Sequence, residues 1–290
     1  GNISLQKTDW FNAEKNYLKA LEINTQSGNK AEMAEDNRNV YNLYLQKEDW
    51  SQAEKFALQA LALSEGIKDY RNVCADCRIL ANVYVEKKER SKQEIYYKKA
   101  LESSQTLNDP KEILIDLRYL GKFNMERGYR EKSGENFQQA FDLSNKLNDK
   151  KEIAEGYRNL GNLAFSNGER KEAEQSYLSA LELTREVGDF KGAGQDFTYL
   201  GNLKFKDYLF EEAESYFVQA GECFEKTNSW TSLIQFDLTV ARMEILVSRY
   251  DQADEYISKA RKIAKDLGDP EPIMKAIQEI EKLKDSVDKK

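Results

Sequence analysis

The sequence predicts an all-α chain, a solenoid of stacked antiparallel helix pairs, and three observations carry that prediction. First, written in rows of 40 the columns align without a gap. Ala20, Ala60, Ala100, Ala140, Ala180, Ala220 and Ala260 share one column, and Val40, Leu80, Leu120, Leu160, Leu200 and Val240 share another. Self-similarity at a fixed period of this size is the mark of a repeat architecture. Second, each row carries two runs of apolar residues at spacings of three and four, the helical period. Third, small residues recur at fixed places. Ala13, Ala53, Ala173, Ala213 and Ala253 form one column, with Gln93 and Ser133 as substitutes, and Gly121, Gly161 and Gly201 form another. Small side chains let paired helices approach closely, and large ones at Tyr17, Tyr97, Phe137, Tyr177 and Phe217 are expected to fill the space between hairpins. One hairpin cannot bury its apolar face alone, whereas stacked hairpins can.

The cleanest row, Lys150 to Asp189, shows how each element is specified. Ile153, Ala154, Tyr157, Leu160, Leu163 and Ala164 place a first helix over about Lys151 to Ser166. Asn167-Gly168 breaks the pattern as a turn dipeptide does. Ala173, Tyr177, Ala180, Leu181, Leu183 and Val187 mark a second helix from about Lys171. Gly188-Asp189 closes it, because Gly suits the left-handed residue after a helix and Asp can cap the next one. Asn108-Asp109-Pro110 and Gly268-Asp269-Pro270 repeat the punctuation, with Pro in the first turn, where its missing N–H costs nothing.

In chain order this gives a partial first repeat over 1–29, six full repeats over 30–269 and a C-terminal capping helix within 270–290. The repeats start near Lys30, Tyr70, Pro110, Lys150, Phe190 and Trp230. Residues 1–8 match only the second half of a first helix, with Ile3 and Leu5 in the columns of Leu43 and Leu45. Starting in mid-repeat and without Met, the chain is expected to be a fragment of a longer protein; a processed native terminus is the alternative. The last helix is expected over about Glu271 to Lys284, with a frayed tail beyond it.

Tyr157, Leu160, Gly161, Ala164, Ala173, Tyr177 and Ala180 resemble the signature of the tetratricopeptide repeat, and the resemblance spans essentially the whole chain. The usual unit of that family is about 34 residues. A period of 40 resembles the extended subclass of spindle-orientation scaffolds, kinesin light chains and Rap-type peptide receptors. The resemblance implies a right-handed superhelix and a protein–protein interaction role. The rows 70–109 and 230–269 depart from the signature, with Ala81 and Ala241 in place of Gly, and the Pro that closes the family's unit is mostly absent.

Composition narrows the chemistry. There is no His, which removes the commonest general base and metal ligand. Cys74 and Cys77 form a lone CxxC inside a helix, with no second pair and no strand beside it, so they are expected as buried stand-ins for Ala, like Cys223. No phosphate loop, nucleotide fingerprint or metal spacing is present. Neither a catalytic role nor a cofactor is expected. A net charge of −7 repels phosphates, which argues against nucleic acid. No apolar run reaches the ~18 residues of a membrane span, so no membrane insertion is expected. Three unpaired Cys point to a reducing, cytoplasmic location.

One set of columns suggests a binding surface. Beside the Leu–Gly positions, each first helix carries a polar pair: Arg38 and Asn42, Arg78 and Asn82, Arg118 and Lys122, Arg158 and Asn162, Thr198 and Asn202, Leu238 and Arg242. Residues four apart share a helical face. The family resemblance implies that first helices line a concave groove and that these positions face into it. Arg offers a planar fork for carboxylates, and Asn offers both a donor and an acceptor to a peptide backbone. The expected partner is therefore a protein or peptide segment carrying acidic residues. The regulatory alternative is a peptide-sensing arm controlling an effector domain outside this chain. A structural alternative stands for the Arg column: Asp36, Asp76, Asp116 and Asp196 form an acidic column, and each Arg could instead reach the Asp of a neighbouring repeat.

Overall fold

Among the described residues the chain bends back on itself at intervals of twenty. Residues 28, 48, 68, 88, 108, 128, 148, 168, 188, 208, 248 and 268 all have positive φ. Only Gly28, Gly128, Gly168, Gly188 and Gly268 among them take that conformation at no steric cost. At five of these bends the next residue is an Asp, and the side chains of Asp49, Asp69, Asp109, Asp149 and Asp189 accept from backbone N–H groups of the following helix and cap it. Pro110 occupies the first turn as the sequence predicts.

The computed structural model describes residues 10–227, 229–268 and 271–288, so the expected half-helix over 1–8 and the Asp269-Pro270 pair lie outside them. Fourteen helices and no strand occur among the described residues. They are α1 (Trp10–Ser27), α2 (Lys30–Gln46), α3 (Trp50–Gly66), α4 (Tyr70–Glu86), α5 (Arg90–Leu107), α6 (Pro110–Glu126) and α7 (Arg130–Leu147), then α8 (Lys150–Asn167), α9 (Arg170–Glu186), α10 (Phe190–Lys206), α11 (Phe210–Lys226), α12 (Trp230–Leu246), α13 (Tyr250–Asp266) and α14 (Glu271–Asp288). The architecture is an all-α helical-repeat solenoid. Two compact units divide it, Gly1–Leu147 containing α1 to α7 and Asn148–Lys290 containing α8 to α14. The last helix runs further than Lys284, through four of the residues expected to fray, because Ile277 and Ile280 anchor it in the core while Leu283 and Val287 continue the apolar stripe.

The Gly column works inside each hairpin rather than between hairpins. A Cβ on Gly161 would lie 2.7 Å from the Tyr177 ring, and one on Gly201 would lie 2.6 Å from Phe217. The large ring therefore sits on the bare backbone of its own hairpin partner and, as expected, also packs against the next hairpin, Tyr97 stacking on Tyr119 at 5.4 Å and Tyr177 on Tyr199 at 5.1 Å. The first full hairpin inverts the sizes: Tyr41 stands in the Gly column and Ala57 in the ring column, both buried. Paired volume is conserved where residue type is not.

A second tie joins consecutive pairs. Tyr44 and Lys47 donate to Glu14 at 2.7 and 2.8 Å, Tyr84 to Glu54 at 2.6 Å, Lys204 to Glu174 at 2.7 Å and Lys284 to Asp254 at 2.5 Å. Each runs from a first helix to the second helix before it. In the α11–α12 step the same register holds two carboxylates, Glu214 and Glu244, with Arg249 Nη1 3.4 and 3.8 Å from them.

Candidate functional site

All the candidate side chains project from first helices: α2, α4, α6, α8, α10 and α12. The Arg column is engaged with the repeat that follows. Arg38 Nε donates to Asp76 Oδ1 at 3.1 Å and Nη2 to Oδ2 at 3.2 Å, a two-point fork across thirty-eight residues. Ser64 on the intervening α3 accepts from Arg38 Nη2 at 2.6 Å and bonds Asp76 Oδ2 at 3.0 Å. The arrangement recurs with Arg158, Asp196 and Thr184, where Arg158 Nε donates to Asp196 Oδ1 at 2.6 Å and Thr184 Oγ1 to Oδ2 at 2.9 Å. Between them Arg78 Nε donates to Asp116 Oδ1 at 2.5 Å and Nη2 to Glu112 Oε2 at 2.7 Å. Ser104 stands at the third position there but donates to Leu101 O, leaving Asp116 Oδ2 without a partner.

These triads are buried. Asp76 and Asp196 have no exposed surface, and Arg38 and Arg158 keep 9% and 6%. Burial pushes the Asp196 carboxyl up to about 6 against the pull of Arg158, and raises Asp76 and Asp116 for the same reason. Burial works against the charge on each guanidinium too, but the aspartate bonds outweigh it and Arg38, Arg78 and Arg158 all rise above the ordinary value. Of the two roles open to the Arg column, the inter-repeat bridge is the one present for these three residues. Arg118 and Lys122 are not free cations either.

The Asn column behaves differently. Asn42 and Asn82 are exposed, and Asn162 and Asn202 half-buried. Tyr97 Oη donates to Asn82 Oδ1 at 3.0 Å and Tyr177 Oη to Asn162 Oδ1 at 2.8 Å. Those bonds fix the amide orientation and leave each Nδ2 to donate outward. Sequence reasoning missed the two Tyr partners, although the Tyr stands fifteen residues after the Asn in both rows. Arg242 is exposed on α12.

Within 148–290 the triad is present at the α8–α10 step and absent from the two steps after it. At the α10–α12 step Thr198 replaces the Arg, Phe236 the Asp, and Phe224 the Ser or Thr. Thr198 Oγ1 donates to Gly194 O at 2.8 Å, and the Phe224 and Phe236 rings lie 6.0 Å apart. Gly194 makes room, since a Cβ there would lie 2.7 Å from Phe224. At the next step Leu238 joins the apolar cluster around Ile257 and Ile277.

The cysteine pair lies inside α4. Cys74 and Cys77 have no exposed surface, and burial pushes both thiols up to about 12. Among the described residues no group of three His, Cys, Asp or Glu is placed to hold a metal ion. None of the described helices is long and apolar enough to cross a membrane.

Fourteen helices among the described residues in a 40-residue register, with buried Arg–Asp bridges at three of the steps between rows, define a tetratricopeptide-type helical-repeat protein. Within that class the chain belongs to the soluble NSF attachment protein (SNAP) family, whose profile matches residues 121–267. No curated protein sequence matches the chain. Among solved structures it is similar to BtubC from P. vanneervenii, at 17% identity and a TM-score of 0.64 over 76% of this chain and 92% of that one. A Rap protein complexed with Competence and Sporulation Factor is similar at 15% identity and a TM-score of 0.60, over 98% and 88%. A kinesin light chain of TPR-like repeats from Podosopora anserina is similar at 13% and 0.55, over 67% and 95%. Likeness at these identities establishes the fold, which is one typical of protein–protein interaction scaffolds.

Proposed function

We propose that the chain is a protein-interaction module that holds an extended peptide segment of a partner along the polar face of its first helices. The observation that supports this is the orientation of the Asn82 and Asn162 amides by Tyr97 and Tyr177. A side chain that spends its acceptor on a buried hydroxyl presents a fixed donor, and fixed donors at repeating intervals suit a backbone whose carbonyls also repeat. Within α1 to α7 Asn42 shares the column of Asn82, within α8 to α14 Asn202 and Arg242 share that of Asn162, and Arg242 is the position for an acidic partner side chain. Arg38, Arg78 and Arg158 act in this reading as the ties that fix the spacing between rows.

The test is a pull-down with the folded chain, followed by titration of the captured partner. Asn82→Ala with Asn162→Ala is compared with Glu182→Ala on an exposed second-helix site. Loss of two oriented donors is expected to weaken binding by about 1–3 kcal/mol with unchanged melting. Equal affinity of the two proteins would remove the reading.

A further inference from the structure

The lapse of the triad opens a cavity. Between α10 and α12, floored by Phe224 of α11, lies a space of about 220 Å³ lined by Gln195, Thr198, Tyr199, Gln235, Phe236 and Thr239 among others. In the rows with an intact triad, the guanidinium and carboxylate occupy the corresponding place. Here the Arg has shrunk to Thr198, and Phe236 has turned its ring against Phe224 and Tyr256. The lining carries no Asp, Glu, Lys or Arg.

Two features give the space a chemistry. Gln195 and Gln235 occupy one register position on successive first helices, both exposed, and neither side-chain amide has a hydrogen-bond partner among the described residues. Each carboxamide offers a donor and an acceptor, the complement of a main-chain amide. Below them the floor is aromatic and held in place: Tyr199 stacks on Tyr177 at 5.1 Å, and Phe236 is wedged between Phe217, Phe224 and Tyr256. A charged side chain entering this space would lose hydration with no counter-charge, a cost that an apolar side chain does not meet.

We infer that this cavity is a specificity pocket for an uncharged, apolar side chain of a bound peptide, whose flanking main-chain amides pair with Gln195 and Gln235. The inference rests on the peptide-binding reading and adds to it. The partner segment is neutral where it crosses α10 and α12, whatever its charge elsewhere, and the pocket sets its register. The pocket is also a position that rejects acidic residues.

The experiment is selection from a random-peptide display library on three proteins: the unaltered chain, Gln195→Ala with Gln235→Ala, and Thr198→Arg with Phe224→Ser and Phe236→Asp, which rebuilds the triad and fills the cavity. A melting curve accompanies each. The unaltered chain is expected to enrich peptides sharing an apolar position with no acidic residue at it. Those peptides, resynthesised and titrated, are expected to bind both variants about tenfold or more weakly. The Gln variant decides the matter if the rebuilt triad does not fold. Enriched peptides that bind both folded variants as tightly as the unaltered chain, or that carry an acidic residue at the shared position, overturn the pocket while leaving peptide binding standing. A chain that enriches no peptide at all overturns both.

Discussion

Arg158 and Asp196 stand thirty-eight residues apart in sequence and 2.6 Å apart in space, with 7% and none of their side-chain surfaces left to water. The pair joins α8 to α10 through the interior.

Removing one member strands the other. Arg158→Ala leaves the Asp196 carboxylate buried with Thr184 alone, and is expected to cost about 3–5 kcal/mol in chemical denaturation. Replacing both members together, Arg158→Leu with Asp196→Leu, is expected to cost much less, since no buried charge is orphaned. A double variant as unstable as the single one would refute this account.

Gly161→Ala puts a methyl against the Tyr177 ring and is expected to lower stability by about 1–3 kcal/mol through overpacking. Shrinking the ring partner should relieve the overlap, as the natural Tyr41–Ala57 inversion shows. The check is whether Tyr177→Ala costs less in the Gly161→Ala background than in the unaltered chain.

Tyr208 sits at φ 62 with 80% of its surface exposed. A left-handed residue with a Cβ costs roughly 1–2 kcal/mol, and Gly removes that cost. Tyr208→Gly is therefore expected to raise the melting temperature, the gain being reduced by the greater freedom of Gly in the unfolded chain. A fall in melting temperature would mean that the exposed ring contributes packing.

Asp237 is 3% exposed, its Oδ2 has no partner, and burial pushes its carboxyl up to about 7. The unfolded value is near 3.9. With the folded value raised, the contribution to stability is fully present below the unfolded value and is lost as pH rises from about 4 through about 7. Asp237→Asn is expected to flatten stability across that window and to gain about 1–3 kcal/mol at pH 8, where the buried charge is removed. Denaturation at several pH values reads both effects. An unchanged slope would assign the pH dependence to other carboxyls such as Asp196.

Buried Cys74 and Cys77, with thiols near 12, are expected to resist an aromatic disulfide reagent until denaturant is added, whereas half-buried Cys223 reacts first. Three thiols titrating at one rate in the native protein would contradict their placement.

The fold was legible because its signals are local and repeated. Apolar spacing, Gly188-Asp189 punctuation and the Ala columns act within twenty residues and recur in row after row. The size inversion at Tyr41 and Ala57 was hidden because it preserves a sum of volumes across two columns, and column-by-column reading sees only types. The Arg–Asp bridge was legible as one of two possibilities; a register of thirty-eight depends on how rows stack, which no single helix specifies. A partial clue was present in the third column, where Ser64, Ser104 and Thr184 stand between rows holding both Arg and Asp and Phe224 coincides with their loss, although Ser144 persists where the Asp column holds Gly156. Asp237 was missed although its column, with Cys77, Leu117 and Phe197, is apolar; that its carboxylate finds no partner depends on the packing around it, which no column shows.

A guanidinium fork gripping a carboxylate at two points sets an angle as well as a distance, whereas ring against ring sets only a separation and tolerates sliding. Within residues 148–290, the step from α8 to α10 is keyed by Arg158 and the step from α10 to α12 is not. In that unit the Phe224–Phe236 contact permits sliding that the Arg158–Asp196 fork does not, a bearing beside a latch.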